Sequence, residues 1–204
     1  MKTMTALFDD YTLAAQAVRG LEAAGIPEDD ISLVVSTLDD EVGEDNADDK
    51  AADGAGAGAG IGAIIGGAGG LLAGLGALAI PGIGPVIAAG WLVSTAVGAV
   101  AGAALGGATG GVIGAFTSSG VHEQDAHVLA EGVRRGGSVV SVRVDESQAG
   151  VVEDIFTKAQ QVDITERRAR YEAEGWQYFD PTAPGFNRDP DRERRGLDHL
   201  QGPF

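Results

Sequence analysis

GALAIPGIGPVIAAG, residues 76–90, lies at the centre of a stretch, 54–121, that carries no charged side chain. Two prolines and two glycines within Ile80–Pro85 mark a turn, and the fold depends on what kind of arms that turn joins. Glycine recurs at every fourth position on both sides: Gly54, Gly58, Gly62, Gly66, Gly70 and Gly74 before it, and Gly98, Gly102, Gly106, Gly110 and Gly114 after it. Glycine inside a helix costs about 1 kcal/mol relative to alanine. A sustained step of four, which keeps the glycines on one helical face, therefore needs a packing reason. The pattern predicts a long glycine-rich apolar α-helical hairpin over 54–118, turning at Pro81, Gly82, Gly84 and Pro85, with the glycines as a helix-packing seam.

As helices the two arms would be about 39 and 48 Å long, against a hydrocarbon core of about 30 Å. Either is long enough to span, and small-residue faces draw helices together in lipid by van der Waals contact. The Ile and Leu side chains of the first arm supply only a few kcal/mol of insertion free energy, each worth about 0.3–0.6 kcal/mol. Burial of the hairpins as a shared core of a soluble homo-oligomer is the alternative.

The charge distribution separates this segment from its flanks. The chain has 204 residues, 33 of them glycine, and a net charge of −16. Residues 1–53 carry 14 acids against 3 bases, and the rest of the excess lies beyond residue 118. Such a surface repels phosphate backbones, which argues against nucleic-acid binding. There is no cysteine, so disulfides and thiolate metal sites are excluded. The start, MKTMTALFDD, lacks a signal-peptide pattern, so the first 53 residues are expected to be cytoplasmic. Asp39–Asp53 holds eight acids and one lysine and reads as a solvated linker; counting back from Gly43 does not place the oxygen ligands of an EF-hand loop.

On either side of the segment the periodicity changes to that of a mixed domain. Thr3–Phe8 alternates as a strand, Asp9 and Asp10 offer N-caps for a helix over YTLAAQAVRGLEAAG, and Ile31–Ser36 reads as a second strand. After the segment, VHEQDAHVLAEGVRRGG reads as a helix, SVVSVRV (Ser138–Val144) as a strand, and QAGVVEDIFTKAQ as a helix with Val151, Val152, Ile155 and Phe156 turned inward. VDITERR is read as a short last strand. The fold expected is α+β: a ferredoxin-like four-stranded sheet with helices on one face, interrupted after its second strand by the glycine hairpin. The divisions are 1–38 and 119–166 for the two halves of the domain, 39–53 for the acidic linker, 54–118 for the hairpin and 167–204 for a partly disordered polar and aromatic tail. On this reading the hairpin can be deleted and leave a folded domain.

Motifs for chemistry fail on inspection. The strict GxGxxG fingerprint is absent from the segment, and the relaxed forms at Gly54–Ala59 and Gly58–Ala63 do not follow a strand. No lysine occurs between Lys50 and Lys158 to complete a phosphate loop. In HEQDAH, His122 and His127 are one residue too far apart for the HExxH zinc pattern and fall about 140° apart on a helix. No catalytic residue, cofactor or metal site is nominated, and the chain is expected not to be an enzyme.

Three stretches, GIPEDDISLVV (Gly25–Val35), IPGIGPVIAAG (Ile80–Gly90) and GVHEQDAHVLAEGVRRGGSVVSVRV (Gly120–Val144), resemble the heat-induced general stress protein family with its YflT-type, or general stress protein 17M-like, domain, over roughly residues 3–165. The resemblance implies an α+β domain around a glycine-rich apolar hairpin and an association with stress, with no catalytic residues to carry over. The functional expectation is a non-enzymatic stress-associated protein whose cytoplasmic domain is held at a membrane, or self-assembled as a homo-oligomer, through the glycine zipper. A soluble homo-oligomeric scaffold and a small-ligand-sensing regulatory domain are the alternatives; no small-molecule substrate is identified.

Overall fold

The computed structural model describes residues 1–36, 76–80, 83–92 and 111–183. The chain opens with strand β1 (Lys2–Phe8) and helix α1 (Tyr11–Ala23). Asp10 starts that helix by accepting a 2.9 Å hydrogen bond from the Leu13 N–H, the expected role of a short acidic side chain at an N-cap. Strand β2 (Ile31–Ser36) follows a single 3-10 turn. Strands β3 (Gly76–Ile80) and β4 (Gly84–Ala89) come next, then helices α2 (Gly111–Ser118) and α3 (Glu123–Arg134). Strand β5 (Ser138–Val144) and helices α4 (Ala149–Lys158) and α5 (Ile164–Ala173) complete the described elements.

All pairing in the sheet is antiparallel, in the order β1-β5-β2-β4-β3. Because β5 runs opposite to both β1 and β2, those two are parallel to each other. They are linked through α1, and the first half of the chain is a split βαβ unit closed by β5. Side chains alternate between the sheet faces with period two. Ala6, Phe8, Ile31, Leu33, Val35, Val140, Val142 and Val144 form one apolar face, covered by α1 and α4. Phe8 and Phe156 meet there edge to face at 5.9 Å. Leu7, Val34 and Val139 look the other way and are covered by α2, α3 and Phe179.

The α+β class agrees with the sequence reading; four details do not. Helices cover both faces rather than one. The sheet has five strands rather than four, because β3 and β4 come from the uncharged segment. VDITERR forms the start of α5 instead of a strand: Asp163 caps the Thr165 and Glu166 N–H groups at 2.8 and 2.9 Å, and the Asp-x-x-Glu spacing is that of a capping box. Val151, expected to face inward, is exposed while Val152 and Phe156 are buried.

The predicted helical hairpin is corrected at its turn. Residues 76–80 and 84–89 are strands, with Ile80 opposite Gly84 and Ala79 opposite Pro85. The physical reason lies in β2, which is buried at all six residues and so requires a neighbour on each edge as well as cover on each face. β5 serves one edge, and β4 serves the other through Leu33↔Ala89 to Ser36↔Val86. Pro85 is tolerated because it lies just outside the residues that pair with β2, where its missing N–H costs no ladder bond there. The parts of the expected helical arms over 54–75 and 93–110 fall outside the described residues. Among the described residues no helix is long and apolar enough to cross a membrane.

The hairpin is fastened to the sheet at Gly90. Its φ of +90° turns the chain so closely over β2 that a Cβ would lie 2.1 Å from the Ile31 carbonyl oxygen. Beyond it the Leu92 N–H donates to Ser32 Oγ at 2.8 Å, and the Trp91 indole N–H donates to the Asp30 carbonyl at 3.2 Å. Arg143 bridges to Asp30 at 2.9 Å with its guanidinium 4.9 Å from the centre of the Trp91 ring. Removal of 54–118 would strip Ile83, Val86, Leu92 and Phe116, all buried, at about 1.5–3 kcal/mol each, which rivals the 5–15 kcal/mol that holds a domain together. A chain lacking 54–118 is therefore expected not to keep a cooperative fold, which a thermal melt of that deletion checks. Gly90→Ala is expected to destabilise by about 3 kcal/mol or more. Gly25→Ala, also at positive φ but with nothing within 4 Å of the new methyl, is expected to cost about 1 kcal/mol; denaturant titration of the two variants measures the gap.

Candidate functional site

The residues nominated by sequence divide into three groups. Gly54, Gly58, Gly62, Gly66, Gly70, Gly74, Gly98, Gly102, Gly106 and Gly110 lie outside the described residues, as do Pro81 and Gly82. Gly84 and Pro85 open strand β4, so the turn they mark is the turn of a β-hairpin. Gly114 is the one seam residue whose surroundings are described. It sits in α2, half-buried, and a Cβ built there meets nothing within 4 Å. Its neighbours Ala115 and Phe116 are buried in the core, so Gly114 lies on the face of α2 directed away from the described core.

Pattern reading missed a second group, which the tertiary structure gathers on α3. Glu131 is buried to 1 % exposure and receives Arg134 through Nε at 2.8 Å and Nη2 at 2.5 Å, and Arg135 through Nε at 2.7 Å. Glu ahead of Arg at i+3 and i+4 is the favourable order along a helix, and the arginines at its C-terminal end suit the helix dipole. Arg135 extends the network to Glu174 and lies 4.1 Å over the Tyr171 ring, whose own edge-to-face partner is Trp176 at 5.7 Å. Arg168 pairs with Asp125 at 2.5 Å, and Arg167 with Asp9 at 2.6 Å. The Arg135 and Arg168 contacts fasten α5 and the residues after it onto α3, and the Arg167 pair ties α5 to the β1–α1 connection.

His127 belongs to this clamp. Its Nδ1 accepts the Phe179 N–H at 3.3 Å, and its ring meets Tyr178 edge to face at 6.5 Å. His122 is exposed at the start of α3, so the structure gives the two histidines of HEQDAH separate surroundings. Among the described residues no group of three His, Cys, Asp or Glu is placed to hold a metal ion. An open depression of about 420 Å³ at the α4–α5 connection is lined by Thr157, Gln161, Val162, Asp163 and Ile164. Its one charged side chain, Asp163, is engaged in capping α5. The arrangement is therefore one of packing and docking groups. Comparison with protein-family models, with curated proteins and with solved structures finds no match for the chain.

The Tyr171 hydroxyl is buried beside the Arg167 guanidinium. Burial pushes its pKa above the usual tyrosine value of 10.0, opposed by the nearby guanidiniums of Arg167 and Arg135. A group whose pKa is raised on folding contributes stability that is present below its unfolded pKa and lost as pH rises through the folded value. Wild-type stability is therefore expected to fall as pH climbs above 10. Tyr171→Phe, which removes the ionisable hydroxyl, should lose less stability than wild type in alkali; thermal melts across that range compare the two.

Proposed function

We propose that this is a non-enzymatic, stress-associated α+β protein that assembles copies of itself into a scaffold through its uncharged glycine-rich runs. The supporting observation is the pairing of β4 with β2. With the centre of the segment built into the sheet, each glycine run is tethered to the same domain at both ends: residues 37–75 connect β2 to β3, and 93–110 connect Leu92 to α2. Leu92 and Phe116 lie in one buried cluster. A helix needs roughly 20 residues for a single crossing of a bilayer. The stretch 93–110 is too short to cross and return, and so is the uncharged part of 37–75. Glycine faces so tethered are better suited to pack against each other, or against those of another copy, than to span a bilayer as a two-helix hairpin. Gly114, with no described side chain packed on it, ends the 98–114 series where it rejoins the domain. Asp125, Glu131 and Arg135 at α3 are taken up in ion pairs that reach Arg168 and Glu174, which favours a structural over a catalytic role. The stress association rests on the sequence resemblance.

The test is mass in solution by light scattering, with and without mild detergent, for wild type, Gly106→Leu and Ala103→Leu. On a helical reading Ala103 lies about 60° off the glycine line, so it controls for the added side chain. Leucine in a close-packed seam costs about 1–3 kcal/mol per contact. Gly106→Leu is expected to lose assembly, while Ala103→Leu keeps it, in detergent-free buffer. Equal masses for all three would remove the seam. Retention of wild type in carbonate-washed membranes would restore the anchoring reading.

A further inference from the structure

We propose that residues 177–183 form a proton-sensitive strap, docked on α3 while the His127 ring is neutral and released when that ring takes up a proton. Gly175 closes α5 at a φ of +91°, with nothing within 4 Å of an added Cβ. The Trp176 N–H donates back to the Tyr171 carbonyl at 3.0 Å, so the part of the chain fixed by the helix end stops there. Beyond it Tyr178 is exposed, while Phe179 is buried to 4 % exposure. Asp180 accepts the Thr182 N–H at 2.8 Å and the Thr182 hydroxyl at 2.6 Å, which folds the far end of the strap upon itself. The strap's backbone is tied to α3 at Phe179, whose N–H donates to His127 Nδ1 at 3.3 Å. An imidazole nitrogen accepts only when it carries no proton, so the bond requires the neutral ring with its hydrogen on Nε2.

Imidazole is the side chain that ordinarily changes charge between pH 5 and 8. Once Nδ1 carries hydrogen, two donors face each other and the Phe179 N–H has lost its acceptor. The charged groups nearby give the protonated ring another place to go. On α3, Glu123 stands one turn before His127 and Glu131 one turn after it. Glu131 is held by Arg134 and Arg135. Glu123 is exposed and enters no ion pair among the described residues, and a glutamate four residues ahead of a cation is the favourable order on a helix. From α5, Arg168 is paired with Asp125 at 2.5 Å. From the strap, Asp180 is engaged by Thr182 and feels the charge of Arg134, and Tyr178 offers its ring edge. α2 carries no titratable side chain. The charged ring is therefore drawn toward Glu123 and away from Phe179, so docking is complete above the imidazole range and lost as pH falls through it. Release takes Phe179 out of the buried cluster it shares with Ala126 and Ala130 of α3 and frees the chain from residue 177 onward. The device uses none of the glycine runs and is independent of the assembly proposed above.

Amide hydrogen exchange of the full chain, read by mass spectrometry and corrected for the intrinsic pH dependence of exchange, follows the strap directly. The two conditions are about pH 8 and about pH 5.5, on either side of the usual imidazole midpoint. Carboxylic acids ordinarily titrate near 4, below this window, so α5 keeps its ion pairs while the strap opens. Wild type is expected to lose about tenfold protection over 177–183 at the lower pH, the worth of one hydrogen bond of this kind, with α3 and α5 unchanged. His127→Ala, which removes the acceptor, should show the opened strap at both pH values. His127→Asn places a carbonyl oxygen near the Nδ1 position without a titrating group, and should keep the strap protected at both. His122→Asn, at the start of α3, should keep the wild-type response. Equal protection of the wild-type strap at the two pH values overturns the proposal. So does a loss that His127→Asn shares, which assigns the opening to another group, or one that extends equally to α5, which makes it general acid unfolding. A His127→Ala strap as protected as wild type at the higher pH overturns it as well, because the ring would not then be what holds Phe179.

Discussion

β2 is buried at every residue, and its outer edge is closed only because a segment distant in sequence returns to pair with it. The β4–β2 ladder and the Gly90 crossing over Ile31 are the contacts on which the rest of the architecture depends. Without β4 the second face of the sheet would lose Val86 and Ala88, and α2 would lose much of the surface it covers. The constraint also fixes the topology of the uncharged segment, which must leave the sheet and return to it twice.

The two faces of the sheet differ in chemistry. The α1–α4 face is aliphatic and aromatic apart from the buried Ser138. The opposite face mixes Val34 and Val139 with Ser32, Ser36 and Ser141, all buried, and is covered by elements that need polar fastening. Ser32 supplies one such bond, to the Leu92 N–H. Glu131 supplies another set, holding two arginines, of which Arg135 also reaches Glu174 and Tyr171. Apolar burial accounts for the first face; on the second, hydrogen bonds and ion pairs determine which segments dock and where.

Assembly and the strap rest on different physics. Glycine faces allow close approach of backbones and gain dispersion contacts. The strap depends on one acceptor nitrogen, which a proton turns into a donor, and on a carboxylate one turn away that draws the charged ring. With a net charge of −16 on each copy, long-range repulsion opposes association and weakens as salt screens it.

Local patterns were legible wherever one residue's immediate neighbours decide the outcome. Asp10 capping α1, Gly25 ending it, the strands Ile31–Ser36 and Ser138–Val144 and the helix over Glu123–Arg134 follow from capping chemistry, positive φ and periodicity. The capping box at Asp163 and Glu166 was also present in the sequence, and it outweighed the β-forming look of Val162 and Ile164. What Gly76–Gly90 becomes could not be read locally, because Ala, Ile, Leu and Gly around a Pro-Gly turn suit an apolar helical arm or a buried strand equally well. The vacant edge of β2, set by a partner more than forty residues away, made it a strand. Likewise nothing in the order of residues announces that Arg143 would meet Asp30 and Trp91, or that Phe179 would seat beside α3 through His127. Those meetings are between residues brought together only by the closed sheet, so sequence determined the elements, and tertiary structure decided which apolar segment completed them.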